Sequence, residues 1–274
     1  MPEDAGRTEV LSSLGGLLSN YRRLATIVLE SRAIVSTYLL IHGAWHGGWC
    51  WRKVVPLLEA KGHKALAPDL PGHGDDRTPP ASVTLQSYTD RICEIAAAQT
   101  GPVILAGHSM GGIAITQAAE NCPEKIRALV YVCAFLPRNG DALVTWASQD
   151  SGSMVNPTTT EPRADGTVNF KVQDSREAFY GNCSDEDVQF AQSRLVAQPG
   201  ALLGAAIETT AERWGRVPRY YIECLRDRAI TLKLQRGMQE SSRCRQTFSI
   251  DTDHSPFFSA PGQLADIFLR IGGL

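Results

Sequence analysis

The chain has 274 residues, of which 43% are hydrophobic and 20% are charged. This length and composition predict one or two folded domains with a sizeable core, and they exclude an intrinsically disordered chain. The 27 Lys and Arg residues nearly balance 29 Asp and Glu residues, which leaves a formal net charge of -2. A general nucleic-acid binder needs a basic surface, so no nucleic-acid partner is expected.

Residues 1–35 differ from the rest of the chain, because their apolar residues recur at helical spacing. These residues are Val10, Leu11, Leu14, Leu17, Leu18, Tyr21, Leu24 and Val28. Gly15 and Gly16 would weaken such a helix by about 1 kcal/mol each relative to alanine. The segment is expected to be a helix for a partner or membrane surface, a loosely packed extension, or sequence upstream of the true start. The folded domain is expected to begin near Val35.

From Ser36 onward, short apolar β-branched runs alternate with segments of helical spacing. The predicted strands are Ser36–Ile41, His63–Leu70, Pro102–Ala106, Ile126–Phe135, Tyr220–Leu225 and Arg245–Ile250. The predicted helices are Trp51–Ala60, Leu85–Ala98, Ile113–Glu120, Leu232–Gln239 and Pro261–Ile271. Strands that are apolar almost throughout are typical of a parallel sheet covered by helices on both faces. The alternation therefore predicts an α/β core built from residues 36–136 and 216–274.

Residues 137–215 interrupt this alternation and are rich in Ser, Asp, Thr, Gly and Pro. Helical spacing is patchy there, at Asp185–Val196 and Leu202–Glu212. A structureless loop of this length is uncommon in a compact domain, so an inserted cap, mainly helical, is predicted. Its apolar residues are candidates either for a pocket wall or for the cap's own core: Trp146, Phe170, Phe179, Tyr180, Phe190 and Leu195.

A Gly-x-Ser-x-Gly motif, Gly107-His108-Ser109-Met110-Gly111, lies between a predicted strand and a predicted helix. In that context the glycines allow a sharp turn that exposes the serine hydroxyl above the sheet. The alternative is a helix-capping serine in an ordinary glycine turn. We predict that Ser109 is a nucleophile.

A nucleophilic serine in this strand–turn–helix setting is followed along the chain by an acid and then by a histidine. His254 is the one histidine after the serine, and it follows a predicted strand near the sheet edge where catalytic groups collect. Asp227 ends the preceding strand and is the predicted acid, which would orient the imidazole. Asp251 and Asp253 are alternative candidates for this acid, but they are interpreted as carboxylates that cap a turn. Glu223 lies inside the strand and is a weaker candidate.

Small residues follow the first strand, in the segment 42–49. They would allow a backbone N–H to approach a developing oxyanion, and Ala44 N–H together with Met110 N–H is predicted to form the oxyanion hole. His42 and His46 are four residues apart, but the intervening glycines argue against a helical metal pair. No metal site and no cofactor are expected.

The seven cysteines are scattered and contain no Cys-x-x-Cys pair. This pattern predicts neither a zinc site nor a disulfide framework, so most cysteines are expected to be small buried apolar residues in a reducing, cytoplasmic compartment. No apolar run reaches the roughly 20 residues that a membrane span requires. Glu3 and Asp4 are unlike the start of a secretory signal.

Taken together, three stretches resemble the α/β-hydrolase superfamily, in particular the plant methylesterase and hydroxynitrile lyase branch and its bacterial esterase relatives. They are Leu39–Trp51, Asp69–Gly74 and Asp253–Pro256. The resemblance covers about Ser36 to Leu274 but not residues 1–35, and members of the branch begin almost directly at the first strand. Lyases of this fold place threonine after the first-strand histidine and lysine after the catalytic histidine. Gly43 and Ser255 occupy those positions here, which favours the esterases.

The resemblance implies an α/β-hydrolase fold and a cofactor-free serine esterase that acts on a small-molecule aryl or alkyl ester, as a monomer or a homodimer. Two other functions stay open. Cyanohydrin cleavage occurs in plant lyases that lack the threonine–lysine pair. Some α/β-hydrolases instead bind a small signal as receptors while keeping the same triad.

Overall fold

A computed structural model describes residues 35–274, and its central feature is a six-stranded parallel sheet. The strands are β1 (Thr37–Ile41), β2 (Lys64–Leu66), β3 (Val103–His108), β4 (Ile126–Val132), β8 (Arg219–Cys224) and β9 (Gln246–Ile250). Their order across the sheet is β2-β1-β3-β4-β8-β9. The β3 strand is buried along its whole length, as expected for a sheet covered on both faces. The sheet confirms the predicted α/β architecture.

Helices alternate with the strands along the chain, and several of them pack against the sheet. They are α1 (Val55–Glu59), α2 (Leu85–Ala97), α3 (Gly111–Asn121), α4 (Leu143–Ala147), α5 (Val172–Phe179), α6 (Asp185–Gln192), α7 (Leu232–Ser241), α8 (Pro256–Ser259) and α9 (Pro261–Gly272). The α9 helix buries Leu264, Phe268 and Ile271 at helical spacing, which explains why it packs as an amphipathic helix. Because the strands are parallel, their carboxyl ends meet at one edge, where loops bring distant residues together.

The segment 137–215 contains α4, α5 and α6, but it also forms a small antiparallel sheet that the sequence did not predict. Its strands are β5 (Thr160–Pro162), β6 (Thr167–Phe170) and β7 (Gln198–Pro199). The β5–β6 turn ends in Asp165-Gly166, and Gly166 has a φ of 80° that an L side chain rarely adopts. The helix predicted at Leu202–Glu212 is wrong, since that region contains only a short 3-10 turn, Ala201–Gly204.

The cysteine prediction is wrong for one pair, because Cys93 and Cys122 form a disulfide across a sequence separation of 29 residues. Cys93 lies in α2 and Cys122 follows α3, so the bond joins two helices that pack together. The other cysteines are free, and Cys50, Cys133, Cys183 and Cys224 are buried as expected. The cysteine pattern therefore does not favour a reducing compartment over an oxidising one.

The predicted amphipathic segment at the N-terminus lies outside the described residues. Among the residues that the structure describes, no helix is both long enough and apolar enough to span a membrane.

Candidate active site

Ser109 lies in the turn between β3 and α3, with a φ of 55° in the left-handed region. A non-glycine residue in this region is strained, and such strain is typical of functional turns. The two flanking glycines are required because there is no space for a side chain at either position. A Cβ atom on Gly107 would lie 2.7 Å from the carbonyl oxygen of Gly111, and one on Gly111 would lie 2.7 Å from that of His42. The sharp turn predicted from the motif is therefore present.

Asp227 and His254 are in contact, although 27 residues separate them, and the backbone of His254 is bonded to His108, the residue before Ser109. His254 Nδ1–H donates to Oδ2 of Asp227 at 2.7 Å, and both side chains are buried. Oδ1 of Asp227 accepts the backbone N–H groups of Ala229 and Ile230 at 2.8 and 2.9 Å. These two bonds orient the carboxylate, so the histidine keeps its proton on Nδ1 and leaves Nε2 as the basic nitrogen.

The competing acids are committed elsewhere. Asp251 is exposed and forms an ion pair with Arg226 at 2.6 Å. Asp253 is buried, and its Oδ2 accepts the backbone N–H of Asn182 in the cap. Glu223 is paired with Arg236. Asp227, the acid proposed from the sequence, is therefore the carboxylate that contacts the His254 ring.

Ala44 and Met110 line the same cavity as Ser109. Among the described residues, the amide N–H of Ala44 and that of Met110 donate to no acceptor. Gly43 lies close to the nucleophile, because a Cβ atom there would sit 2.8 Å from Ser109 Cβ and 2.9 Å from His108 Nδ1. A side chain at position 43 would therefore force the nucleophile or His108 to move. The backbone of residues 43–44 can approach the serine only because Gly43 lacks that side chain.

Three buried histidines surround the site, and we call His42, His46 and His108 the three neutral histidines. Burial holds the pKa of His42 and of His108 well below the ordinary value of 6.5, and it lowers the pKa of His46 to about 4. His46 Nδ1–H donates to the Ala44 carbonyl at 2.7 Å, and Nε2 accepts the Tyr180 hydroxyl at 2.7 Å.

Both ring nitrogens of His42 are likewise hydrogen-bonded within the protein. Its Nδ1–H donates to the Gly43 carbonyl and its Nε2 accepts the Leu70 N–H. Both ring nitrogens of His42 and of His46 therefore have partners within the protein, which is inconsistent with the metal-pair interpretation.

His108, Cys133 and His254 form the one group of three potential metal ligands among the described residues, with ligand atoms within 4.8 Å of one another. The hydrogen bonds of His108 and Cys133 show that they position His254. His108 Nε2–H donates to the backbone carbonyl of His254 at 2.7 Å, and the Cys133 thiol donates to the same carbonyl at 3.5 Å. Together with the bond to Asp227, these contacts hold the main chain and the ring of His254 in position.

Ser109 opens into a cavity of about 370 Å³ between the sheet edge and the cap. Most of its wall is apolar. The lining residues include Trp45, Phe135, Leu143, Val144, Ala147, Val155, Pro157, Val168, Phe179, Leu203, Ala229, Ile230 and Leu234. Asp150, Ser148, Ser153, Asn156 and Thr160 add polar groups. A cavity of this size and composition is suited to a small hydrophobic molecule.

Of the six apolar cap residues considered for the pocket, only Phe179 lines it. The others pack elsewhere, for example Trp146, whose Nε1–H donates to Asp141, and Phe190, which lies under the Arg52 guanidinium. Residues within 143–157 and 229–234 also line the cavity wall, and this was not predicted from the sequence. Leu143, Val144 and Ala147 are spaced as one face of a helix, and that spacing could have indicated part of this wall.

Trp45 both lines the cavity and packs against the cap. Its indole N–H donates to the Val168 carbonyl in the cap at 2.8 Å, while the side chain lines the cavity. Trp49 does not line the cavity and instead packs against Phe190 and Phe258. The loop after β1 thus contacts the cap through its aromatic residues.

Comparison with known proteins agrees with this geometry. A family model described as the alpha/beta hydrolase family matches residues 38–267. Methylesterase 9 of Arabidopsis thaliana is 32% identical over 252 residues, which cover 85% of this chain and 97% of that protein. The pyrethroid hydrolase of Sphingobium wenxiniae is 33% identical over 248 residues, covering 85% and 86%. The crystal structure of a pyrethroid hydrolase from Sphingobium faniae has a TM-score of 0.78 at 29% identity, covering 87% of this chain and 98% of that one. The chain belongs to the alpha/beta hydrolase family.

Proposed function

We propose that this protein is a serine carboxylic ester hydrolase with Ser109, His254 and Asp227 as its catalytic triad. The observation that carries the proposal is the 2.7 Å bond from His254 Nδ1–H to Asp227, beside a strained serine that opens into an apolar cavity. The names of the relatives, a methylesterase and a pyrethroid hydrolase, support the same class of reaction.

In the proposed mechanism, Ser109 Oγ attacks the ester carbonyl while His254 Nε2 takes the hydroxyl proton. Asp227 stabilises the imidazolium that forms, and it does so without taking the proton itself. The N–H groups of Ala44 and Met110 donate to the oxyanion of the tetrahedral intermediate. His254 then protonates the leaving alkoxide, which leaves an acyl group on Ser109. A water molecule deprotonated by His254 attacks this acyl-enzyme and releases the acid.

The apolar cavity favours small or hydrophobic esters, either aryl or alkyl. A wall built from aliphatic and aromatic side chains stabilises an ester by burying its apolar surface, at about 25 cal/mol per Å². It offers few groups that would recognise a particular polar substituent. The proposal therefore names a class of ester.

Cyanohydrin cleavage is the main alternative chemistry. The lyase pattern of threonine and lysine is absent, since Gly43 and Ser255 occupy those positions. Gly43 also has no room for a threonine side chain in this structure. Ser255 is buried and uncharged, so it offers no positive charge to a leaving cyanide.

A receptor role keeps the same triad and predicts a different kinetic result. Such a protein would bind a ligand with a large rise in melting temperature, and it would hydrolyse that ligand slowly or only once.

Steady-state hydrolysis of p-nitrophenyl acetate and butyrate tests the proposal, with Ser109→Ala in parallel. We expect multiple turnovers that fall by about 10³-fold or more in the variant. Intact folding of both proteins is checked by circular dichroism. A folded wild type without turnover would refute esterase activity, and cyanide release and ligand-induced melting shifts would then separate the two alternatives. Light scattering on the same samples tests the homodimer, which stays a prediction.

A further inference from the structure

The wall of the active-site cavity carries a single formally charged side chain among the described residues, that of Asp150. No Lys or Arg from the described residues lines the cavity. An apolar pocket with one negative group discriminates between substrates by charge as well as by shape. The inference that follows rests on the proposed function, because it concerns which esters this site admits.

The carboxylate of Asp150 is held in place by Thr231. Its Oδ2 accepts the backbone N–H of Thr231 at 2.8 Å, and its Oδ1 accepts the Thr231 hydroxyl at 2.7 Å. Thr231 is the N-cap residue of α7, and the positive end of a helix dipole stabilises a nearby carboxylate. Asp150 forms no ion pair within the described part of the chain. Its negative charge is therefore available to a ligand.

The neighbouring polar groups are already committed to bonds within the protein. The Ser153 hydroxyl donates to the Ala229 carbonyl at 2.7 Å. Asn156 donates from Nδ2 to the Ser153 carbonyl, and its Oδ1 accepts the Thr158 N–H. These groups are uncharged and already hydrogen-bonded, so the negative charge of Asp150 is the main electrostatic feature of the wall.

Aromatic rings complete the lining. Trp45, Phe135 and Phe179 all contribute to the cavity wall. The face of an aromatic ring attracts a cation through its quadrupole, and the effect is larger where the cation has been removed from water. The wall thus combines one carboxylate with three aromatic side chains, a chemistry that favours a quaternary ammonium group.

We propose that Asp150 is a specificity-determining residue, and that the site prefers esters carrying a cationic group over neutral esters of the same shape. The aromatic rings of the wall reinforce this preference. An ester that also carries a carboxylate group is disfavoured, because no Lys or Arg of the described residues lines the cavity to neutralise that charge.

Butyrylcholine and 3,3-dimethylbutyl butyrate provide the test, because they differ mainly in replacing the charged nitrogen by carbon. The kcat/KM of each ester is measured at low ionic strength. Each is also titrated as a competitor of p-nitrophenyl butyrate, so that an ester bound without turnover still gives an inhibition constant. A pocket without a counter-charge would favour the neutral ester, since the cation must leave water. We expect the cationic ester to be preferred about fivefold or more.

The variant Asp150→Asn removes the charge and keeps the shape of the side chain. We expect it to lower the preference about fivefold, to unity or below. Asp266→Asn is the matched control, because it makes the same change of charge at an exposed position on α9. The control should keep the wild-type preference.

A wild-type preference for the neutral ester would overturn the inference, and so would an unchanged preference in a folded Asp150→Asn variant. If that variant does not fold, the wild-type comparison decides alone. The proposed function fails separately, if Ser109→Ala leaves hydrolysis of both esters intact. If Ser109→Ala abolishes hydrolysis of both esters but the wild type shows no preference for the cationic ester, only the role of Asp150 is refuted.

Discussion

Asp227→Asn tests how the carboxylate controls the tautomer of His254. An asparagine at this position has one oxygen and one NH₂ group to place. The oxygen must face the N–H groups of Ala229 and Ile230, because those two fixed donors approach Oδ1 within 2.9 Å. The NH₂ group then faces His254 Nδ1, which must become an acceptor. The proton moves to Nε2, and the histidine can no longer take a proton from Ser109.

The magnitude follows from the hydrogen bonds that the active tautomer would lose. With Nδ1–H facing NH₂, two buried donors are left without acceptors, at about 1–3 kcal/mol each. The sum of about 2–6 kcal/mol corresponds to roughly 30-fold to 10⁴-fold less of the active tautomer. Loss of the negative charge beside the imidazolium adds to this, so we expect kcat to fall about 10³–10⁴-fold with a small change in KM.

The assay is steady-state hydrolysis of p-nitrophenyl butyrate, with circular dichroism to verify the fold. Asp251→Asn is the control, because that exposed carboxylate pairs with Arg226 and does not contact His254. The control should retain kcat within about twofold. A folded Asp227→Asn variant with more than about a tenth of the wild-type kcat would refute the tautomer argument.

Three further predictions concern stability and access to the nucleophile. The three neutral histidines should make the protein sensitive to acid. Their folded pKa values lie below 6.5, so the unfolded chain binds more protons as the pH falls. The free energy of unfolding in urea should therefore decrease below about pH 6.5, by up to about 1.4 kcal/mol per pH unit for each histidine, and a flat profile down to about pH 5 would contradict this. Reducing the disulfide, or the variant Cys93→Ser, should lower the free energy of unfolding by about 3–4 kcal/mol because the closed loop is opened; equal urea midpoints with and without reductant would exclude such a contribution. Gly43→Ala should lower kcat and cost about 1–3 kcal/mol of stability because its Cβ would crowd Ser109, whereas Gly101→Ala, with open space around it, should match the wild type in both measurements.

The strand–helix alternation and the positions of the proposed triad residues could be predicted from the sequence, because both depend on local patterns. A run such as β3 is apolar at nearly every position, since each face of the strand is buried. Ser109, Asp227 and His254 each follow a strand of the same parallel sheet, so their side chains converge at one edge. Asp251 and Asp253 also precede His254, but they lie too close to it in sequence to reach around its ring, which favoured Asp227.

The cavity wall and the disulfide were decided by the tertiary structure. Phe179 lines the cavity while Phe190 packs beneath Arg52, although both are apolar cap residues and nothing in the local sequence separates them. Cys93 and Cys122 pair because α2 packs against the helix that follows Ser109, and their spacing matches no local motif. The sequence by itself determines which segments form strands and which groups can react, because those properties depend on neighbouring residues. Which side chains face the substrate is decided only when the cap folds over the sheet, since burial there depends on contacts between residues far apart in the chain.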